Sequence, residues 1–307
     1  MCLLFMVRFA YASHSRTLHI DENLNWNENW VRRKMSDDEN ILRLLRILKR
    51  SDIGAGIIRM ARSRAHKRGS TLLDVINIGE GSTADTTLIR KFFPDNPEQI
   101  IYEVRASVYI NRHLPLMDAV LDLSHELTHF IYRPPFNPYK DDFNLEKFVR
   151  SIIEGKGGEV DAYMAECNVL REIFSDSNRY HANCERLIDP STGTFSRERG
   201  AELFYRTGKH LEAVKMAMSE QNTSLDNFPY LSNEEAVYIS SAYGVPYPMA
   251  AVMEYNNIMT RVCFNDKKRL FIVKNKIKRL PASIQKNSKV RTFNSMLQSF
   301  NVRCKAL

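Results

Sequence analysis

The sequence predicts an α+β fold that is mainly helical and carries a small twisted β-sheet above one amphipathic helix. Three observations support this class. Apolar residues recur at helical spacing from Leu116 to Tyr132 without Gly or Pro. Three β-branched, apolar runs lie between residues 72 and 110, and segments with helical spacing flank them on both sides. The 307 residues, 44% of them hydrophobic, are also enough to build a large core.

The N-terminal region is predicted to be an arm followed by two helices. Residues 13–50 are polar and Asn-rich, and we expect the arm to pack on the body through Trp26 and Trp30. Within that region, residues 38–49 show apolar residues at helical spacing, and residues 53–66 are a second helical segment that ends before Gly69.

The three strands are predicted at residues 72–78, 86–92 and 100–110. The segment between the first two, from Gly79 to Ala84, formally matches the pattern GxGxxA. A dinucleotide site would need a helix directly after that loop. A β-branched run follows it instead, so we predict a hairpin loop and no nucleotide cofactor.

The predicted central helix contains the motif HExxH, with His125, Glu126 and His129. Pro115 suits its first turn and Pro134-Pro135 end it. Residues i and i+4 share a helix face, so both imidazoles can reach one metal ion, and Glu126 stands close enough to activate a water. This pattern indicates a catalytic zinc site, which needs a third protein ligand and an open position.

The third ligand is predicted from the run Glu159-Val160-Asp161-Ala162-Tyr163-Met164-Ala165. HExxH followed some tens of residues later by a helical Glu-x-x-Ala resembles the gluzincin peptidases, zincins whose third ligand is a glutamate on a second helix. The resemblance covers about 50 of the residues, from Asp118 to Leu170. It implies a zincin-like fold, peptide hydrolysis, Zn²⁺ held by His125, His129 and Glu159, and Glu126 as the general base.

Several acids remain as alternatives. Glu166 lies seven residues after Glu159 on the same helix face and is the next candidate ligand, followed by Asp161 and Glu154. Some gluzincins place an aspartate four residues after the ligand glutamate to orient a histidine, but Tyr163 stands there in this chain. Asp118 and Asp122 are therefore candidates to orient the histidines, or else solvated acids near the start of the helix.

The donor that would stabilise an oxyanion is left open by the sequence. The candidates are Tyr163, His181, His210, Tyr243 and Tyr247.

The chain is predicted to divide into five consecutive segments. Residues 1–12 are a candidate signal segment and 13–50 the arm. Residues 51–132 form an upper lobe with the sheet and the central helix, and 133–260 a helical lower lobe with the third ligand. The lower lobe begins with helices at 145–153 and about 158–174, a loop covers 175–197, and 198–260 is mostly helical. Residues 261–307 form a basic segment in which Val262–Ile277 is predicted to be a hairpin.

The charge is concentrated in that last segment. It holds thirteen Lys and Arg and one acid, a net +12, which leaves −4 for the rest of a chain whose total is +8. This imbalance suggests either an anionic membrane or cell-wall surface as a partner or a solvated face. A nucleic acid is a weaker interpretation, since only the basic segment supports it. No run approaches 18 apolar residues, so no transmembrane helix is predicted.

The compartment is predicted from the N-terminus and the cysteines. Ala10-x-Ala12 follows an apolar run, as at a signal-peptidase site, although a basic n-region is missing and Arg8 interrupts the run. Cys167, Cys184, Cys263 and Cys304 would remain, an even number that fits either two disulfides or buried thiols. A periplasmic or secreted protein is the first interpretation and a cytoplasmic one the alternative.

Two functions from different classes follow from these patterns. The first is a zinc metalloendopeptidase. The alternative is a non-catalytic protein of the same fold that binds an anionic surface or partner through residues 261–307.

Overall fold

The computed structural model of the chain describes residues 24–304 apart from Pro94, Asp141, residues 174–181 and residues 282–283. The candidate signal segment 1–12 therefore lies outside the described residues. The elements follow in the order α1 (Asp37–Leu48), α2 (Asp52–Lys67), β1 (Ile76–Gly79), β2 (Thr83–Phe93), β3 (Asn96–Asn111), α3 (Leu116–Tyr132), α4 (Leu145–Ile153), α5 (Glu159–Ile173), α6 (Ala182–Glu185), α7 (Arg197–Phe204), α8 (Leu211–Glu220), α9 (Tyr247–Lys278) and α10 (Ile284–Arg303). The predicted class, α+β and mainly helical with a small sheet, is confirmed.

The described part of the arm packs against the start of α3. Trp30 is completely buried, and its indole Nε1 donates to the carbonyl of Asn111 at 2.7 Å. The backbone N–H of Leu116 donates to the carbonyl of Glu28 at 2.8 Å, which satisfies one of the otherwise unpaired N–H groups at the helix start. Packing of the arm through its aromatic residues is thus confirmed for Trp30.

Both N-terminal helices begin at serine caps. Ser36 and Glu39 form a reciprocal capping box at the start of α1, and the Ser51 side chain accepts from the N–H of Gly54 in α2. The bounds of the two helices agree with the predicted segments 38–49 and 53–66 to within one residue at each end.

The sheet has three strands in the order β1-β3-β2. β3 is central; β1 pairs with it in parallel and β2 antiparallel, with Leu88 opposite Val104. The three predicted strands exist, but the predicted hairpin between the first two is wrong. β1 and β2 lie on opposite sides of β3, so the glycine-containing loop crosses one end of the sheet, and the hairpin is the one formed by β2 and β3.

The central helix α3 coincides with the predicted segment and lies at the centre of the core. Its apolar stripe is completely buried at Leu116, Val120, Leu123 and Leu127. α3 packs against α1, α2, α5 and the sheet, so the surrounding elements fix the position of this helix.

The C-terminal region is a pair of long helices. The predicted hairpin at Val262–Ile277 is wrong, because this segment forms the second half of α9. Its buried residues, Val262, Asp266, Arg269 and Val273, recur every three or four residues, which is helical and not strand spacing. The other predicted segment boundaries stay predictions, although α9 continues across the boundary predicted between residues 260 and 261. No helix of the described chain is long and apolar enough to span a membrane.

The four cysteines of the described region form two disulfides. Cys167 on α5 pairs with Cys184 on α6, and Cys263 on α9 pairs with Cys304 directly after α10. Of the two states that the sequence allowed, the structure has the oxidised one. The second bond joins the two C-terminal helices covalently.

Candidate metal centre

The two histidines of α3 converge at one point. They lie one helical turn apart, and their Nε2 atoms are 3.1 Å from each other. His129 is 4% exposed and His125 is nearly as well covered, with 15% of its side chain accessible. Two imidazole nitrogens therefore face a common position inside the protein.

Glu159, the first residue of α5, completes the cluster. Its Oε2 lies 3.4 Å from Nε2 of His125, and its Oε1 lies 3.5 Å from Nε2 of His129. Four ligands at zinc distances of about 2.0–2.1 Å in a tetrahedron are separated from each other by about 3.3 Å. The separation of the two Nε2 atoms and the distance from each to one oxygen of Glu159 are close to that value, so the three side chains are near enough to share one ion.

The tautomers of both histidines also suit a cation. Nδ1 of His129 donates to the carbonyl of Gly157 at 2.8 Å, and Nδ1 of His125 donates to Oε2 of Glu166 at 3.1 Å. With Nδ1 as the donor in these bonds, each Nε2 atom can offer its lone pair to an ion at the centre. Burial lowers the pKa of His125, but hydrogen bonds to the carboxylates of Glu159 and Glu166 outweigh it and raise that pKa, so the site favours a positive charge beside Glu159. Zn²⁺ supplies such a charge in place of the proton, so the residues present fit Zn²⁺.

A short glycine-rich turn joins α4 to α5 and positions His129. Gly157 has φ +71°, and a Cβ there would lie 2.5 Å from Cβ of Tyr132. Only glycine fits such a left-handed, close position without strain. Its N–H is held by Oδ2 of Asp161 at 2.9 Å, and its carbonyl then accepts from His129.

Two further side chains lie beside Glu159. Arg133, directly after α3, donates from Nη2 to Oε1 at 3.2 Å, and the phenol of Tyr247 is close enough to interact with the same carboxylate. Burial raises the pKa of Glu159, but the neighbouring His129, His125 and Arg133 outweigh it and hold that pKa well below its usual range. Glu159 is thus an anion, as a metal ligand must be.

Glu126 lies beside this cluster without joining it. It is 8% exposed, and burial raises its pKa to about 7, against the opposing attraction of His125. A carboxyl with a pKa near neutrality can both take and return a proton. Glu126 therefore has the environment of a general base.

The cluster opens into a cleft with two parts, both bordered by Tyr247. A cavity of about 1020 Å³ contains His125, Glu126, Asp122 and Glu166, and a second of about 540 Å³ contains Glu159 and the apolar side chains of α4 and α9. Thr83 of the edge strand β2 lines both parts. The cleft therefore gives the cluster access to solvent and to a ligand.

The other predicted site residues are distributed as follows. Glu166 is not at the cluster but orients His125, a function that the sequence left to Asp118 or Asp122. Asp122 lines the larger cavity, and burial raises its pKa to about 6. Asp161 accepts from Gly157 and from Arg197, and Glu154 accepts from Arg150.

Among the candidate oxyanion donors, Tyr247 is the one in contact with the cluster. Burial, followed by the charges of Glu159 and Glu126, raises the pKa of Tyr247 well above its ordinary value, so its O–H stays a donor. Tyr163 lines the larger cavity and Tyr243 the smaller one, where its phenol donates to Glu254. His210 lies at the start of α8, and His181 lies outside the described residues.

Sequence reasoning missed Arg133 and Gly157. No sequence motif marks Arg133, because its partner Glu159 lies 26 residues further along the chain. The run Gly155-Lys156-Gly157-Gly158 lies between the two helices predicted at 145–153 and about 158–174 and is visible in the sequence. Three glycines in four residues directly before a candidate ligand are a signal for a backbone turn of the kind observed.

Comparisons of the chain with family models, with curated proteins and with solved structures find no match.

Proposed function

We propose that this chain is a zinc-dependent endopeptidase of the gluzincin type, with His125, His129 and Glu159 as the metal ligands. The single observation that carries the proposal is the convergence of the three ligand groups beside an open cleft: the two Nε2 atoms lie 3.1 Å apart, and each lies 3.4–3.5 Å from one carboxylate oxygen of Glu159. Three protein ligands and an accessible fourth side are the pattern of a catalytic zinc, whereas structural zinc sites have four protein ligands.

The chemistry divides between the ion and the side chains. Zn²⁺ bound at this centre would act as a Lewis acid that lowers the pKa of a water to about 7. Glu126 takes the proton of the attacking water on its carboxylate, holds it while the peptide carbon becomes tetrahedral, and gives it to the leaving amine. The raised pKa of Glu126, about 7, suits both transfers.

Tyr247 and the edge strand complete the proposed site. The phenol of Tyr247 stays protonated and is the donor that faces the carboxylates of the cluster, so it would stabilise the oxygen that gains negative charge. β2 is paired only on its β3 side in the described sheet, and Thr83 borders the cleft. An extended peptide can add to such an edge through main-chain hydrogen bonds.

The test combines metal analysis with hydrolysis. Purified wild type and the variants Glu126→Gln, His129→Ala and Tyr247→Phe are compared by elemental mass spectrometry and by cleavage of casein or a quenched peptide. Glu220→Gln is the matched control, because it removes one carboxylate from the exposed end of α8, outside the cleft.

Each variant has a distinct expected result. Wild type should carry about one zinc per chain and lose cleavage on chelation. Glu126→Gln should keep the zinc and lose at least about 100-fold in rate, His129→Ala should lose the zinc, and Tyr247→Phe should keep the zinc and lose about 100-fold. Full activity of Glu126→Gln, or a wild type that binds no zinc, would overturn the proposal.

A second candidate function is binding to an anionic membrane surface, with or without catalysis. One exposed face of α9 supports it: Phe264 and Phe271 are 69% and 66% exposed. At helical spacing their charged neighbours are the cations Arg261, Lys267, Lys268 and Lys274, and the other neighbours, Thr260 and Asn275, are polar. Aromatic side chains surrounded by basic ones suit the headgroup region of an anionic bilayer.

Vesicle sedimentation tests this second candidate. Because the face is positively charged, we expect vesicles with roughly 30% phosphatidylserine, an anionic lipid of cytoplasmic leaflets, to bind more protein than vesicles of pure phosphatidylcholine. Phe264→Ser with Phe271→Ser should weaken binding at constant charge, and Met216→Ser, an equally exposed apolar residue on α8, is the control. Equal binding to both vesicles, or tighter binding to DNA than to vesicles, would remove the membrane interpretation.

The compartment is part of the same proposal. Two disulfides support an oxidising location, since cytosolic thiols are normally kept reduced. We therefore favour a periplasmic or secreted protein over a cytoplasmic one. Alkylation of the chain recovered from its native compartment, with and without prior reduction, would decide: labelling without reduction argues for the cytoplasm.

A further inference from the structure

A second cluster of charged side chains lies between the sheet and the two C-terminal helices, and its residues line neither part of the catalytic cleft. It surrounds a recess of about 230 Å³. We call it the arginine recess and define it by Arg90 of β2, Tyr139 of the loop after α3, Asp266 and Arg269 of α9, and Ser299 and Arg303 of α10.

One carboxylate joins two of the three guanidinium groups. Asp266, 6% exposed, accepts from Nη1 of Arg90 at one oxygen and from Nη1 of Arg303, at 2.8 Å, at the other. Both guanidinium groups also stack over the ring of Tyr139, with distances of 4.0 and 5.1 Å to its centroid. Their positions are therefore determined by the fold and need no ligand to order them.

The third guanidinium, that of Arg269, is hydrogen-bonded to backbone carbonyls. Arg269 is 7% exposed, and it donates to the backbone carbonyls of Pro97 and Glu98. The Glu98 carboxylate itself pairs with Lys289 at 2.8 Å. The four cations of this region thus face two carboxylates, which leaves two positive charges uncompensated in a poorly solvated place.

Such an excess is unfavourable, because a buried charge is costly without a counter-charge. Burial, and then repulsion from Arg90, lowers the pKa of Arg269, while Asp266 and Tyr139 raise the pKa of Arg90 despite its burial. Nε of Arg90 is also buried and has no hydrogen-bond partner among the described residues. A buried N–H of a cation without an acceptor indicates a missing anionic partner.

We propose that the arginine recess binds one tetrahedral oxyanion group, of the phosphate or sulfate type. With Nη1 of Arg90 on Asp266 and Nε buried, the Nη2 side of that guanidinium remains to bind an oxyanion in the recess. Arg303 supplies a second guanidinium, and the exposed Ser299 supplies a hydroxyl at the mouth. The volume accommodates one such group with a small substituent.

The disulfide between Cys263 and Cys304 supports the recess structurally. Cys304 follows Arg303 directly, and Cys263 lies three residues before Asp266, close to one helical turn. The covalent link therefore holds the end of α10 against the middle of α9, which keeps Arg303 beside Asp266.

The experiment uses the complete, oxidised chain and two probes, inorganic phosphate and glycerol 3-phosphate. Thermal unfolding and isothermal titration calorimetry are performed against sodium chloride at equal ionic strength. A phosphate that binds the folded state raises the melting temperature as its concentration increases, whereas chloride at the same ionic strength should not. Preference for inorganic phosphate would identify a free anion, and preference for glycerol 3-phosphate an esterified group such as a lipid headgroup.

Two variants make the result specific. Arg90→Gln removes the guanidinium edge and should weaken phosphate binding at least tenfold. Because Arg90→Gln also disturbs Asp266, Ser299→Asp is the second variant: it introduces a carboxylate at the mouth, so it should raise the melting temperature without phosphate and abolish the response to it. Ser288→Asp, an exposed position on the same helix that does not line the recess, is the charge-matched control.

The proposal is overturned if phosphate stabilises wild type no more than chloride does. It is equally overturned if Ser299→Asp binds phosphate as tightly as Ser288→Asp.

Discussion

Glu166 offers the sharpest test of the metal centre, because it is close to the cluster without being a ligand. Its Oε2 accepts from Nδ1 of His125 at 3.1 Å, and each of the two side chains is 15% exposed. A hydrogen bond to a charged group in such a place contributes about 1.5–3 kcal/mol. Loss of a partner of this kind typically costs about 10–100-fold in metal affinity, which is about 1.4–2.7 kcal/mol. The two estimates agree, so we expect Glu166→Ala to weaken zinc binding about 30-fold.

The substitution Glu166→Gln should have a smaller effect, about tenfold, because an amide oxygen still accepts the N–H but carries no charge. Zinc affinity is measured by competition with a chromophoric chelator, and the metal-free melting temperature shows that each variant is folded. Glu220→Gln, which removes the same charge from the exposed end of α8, should bind zinc as wild type does. An affinity of Glu166→Ala within twofold of wild type would refute the assignment of Glu166 as the group that orients His125.

Three further predictions concern the general base, the glycine turn and the C-terminal disulfide. Only ionised Glu126 takes a proton, and its pKa is raised to about 7, so kcat/KM should rise with pH and level off above about pH 7. Because a bound dication favours the carboxylate, the midpoint of this rise should lie at or below about pH 7. A kcat/KM that falls through this pH range would contradict the mechanism. Gly157→Ala should lower both zinc affinity and the free energy of unfolding, the latter by about 1–3 kcal/mol of backbone strain and more from the contact with Tyr132, measured by chelator competition and urea titration. Replacing Cys263 and Cys304 by serine opens a loop with a sequence separation of 41, so the free energy of unfolding should fall by up to about 4 kcal/mol while zinc binding is retained; equal urea midpoints would argue against a stabilising cross-link.

The helices were predictable where their signals are local. Capping serines, glycine and proline boundaries and apolar residues at helical spacing lie within a few residues of each other, and these placed α3 and α4 with their observed bounds. The second half of α9 was mispredicted because β-branched residues and lysines alternate there over short stretches. Its helical period becomes evident only over the four turns that pack against α10 and β3.

Strand pairing could not be derived from the chain in the same way. The loop from Gly79 to Ala84 looks like a hairpin in isolation, yet its strands lie on opposite sides of β3. Register and neighbour depend on contacts between residues far apart in sequence, and those contacts are determined by how the sheet covers α3.

The sequence by itself determined that His125 and His129 lie on one face of a helix with Glu126 beside them, because residues i and i+4 of a helix point in nearly the same direction. Only the tertiary structure decided which of four acids would meet the two imidazoles. The packing of α3 against α5 and the left-handed turn at Gly157 bring Glu159 to them, and they leave Glu166 one shell further out, where it accepts from Nδ1 of His125. The arginine recess has the same origin: its side chains come from β2, α9 and α10, and only the folded chain brings their charges together.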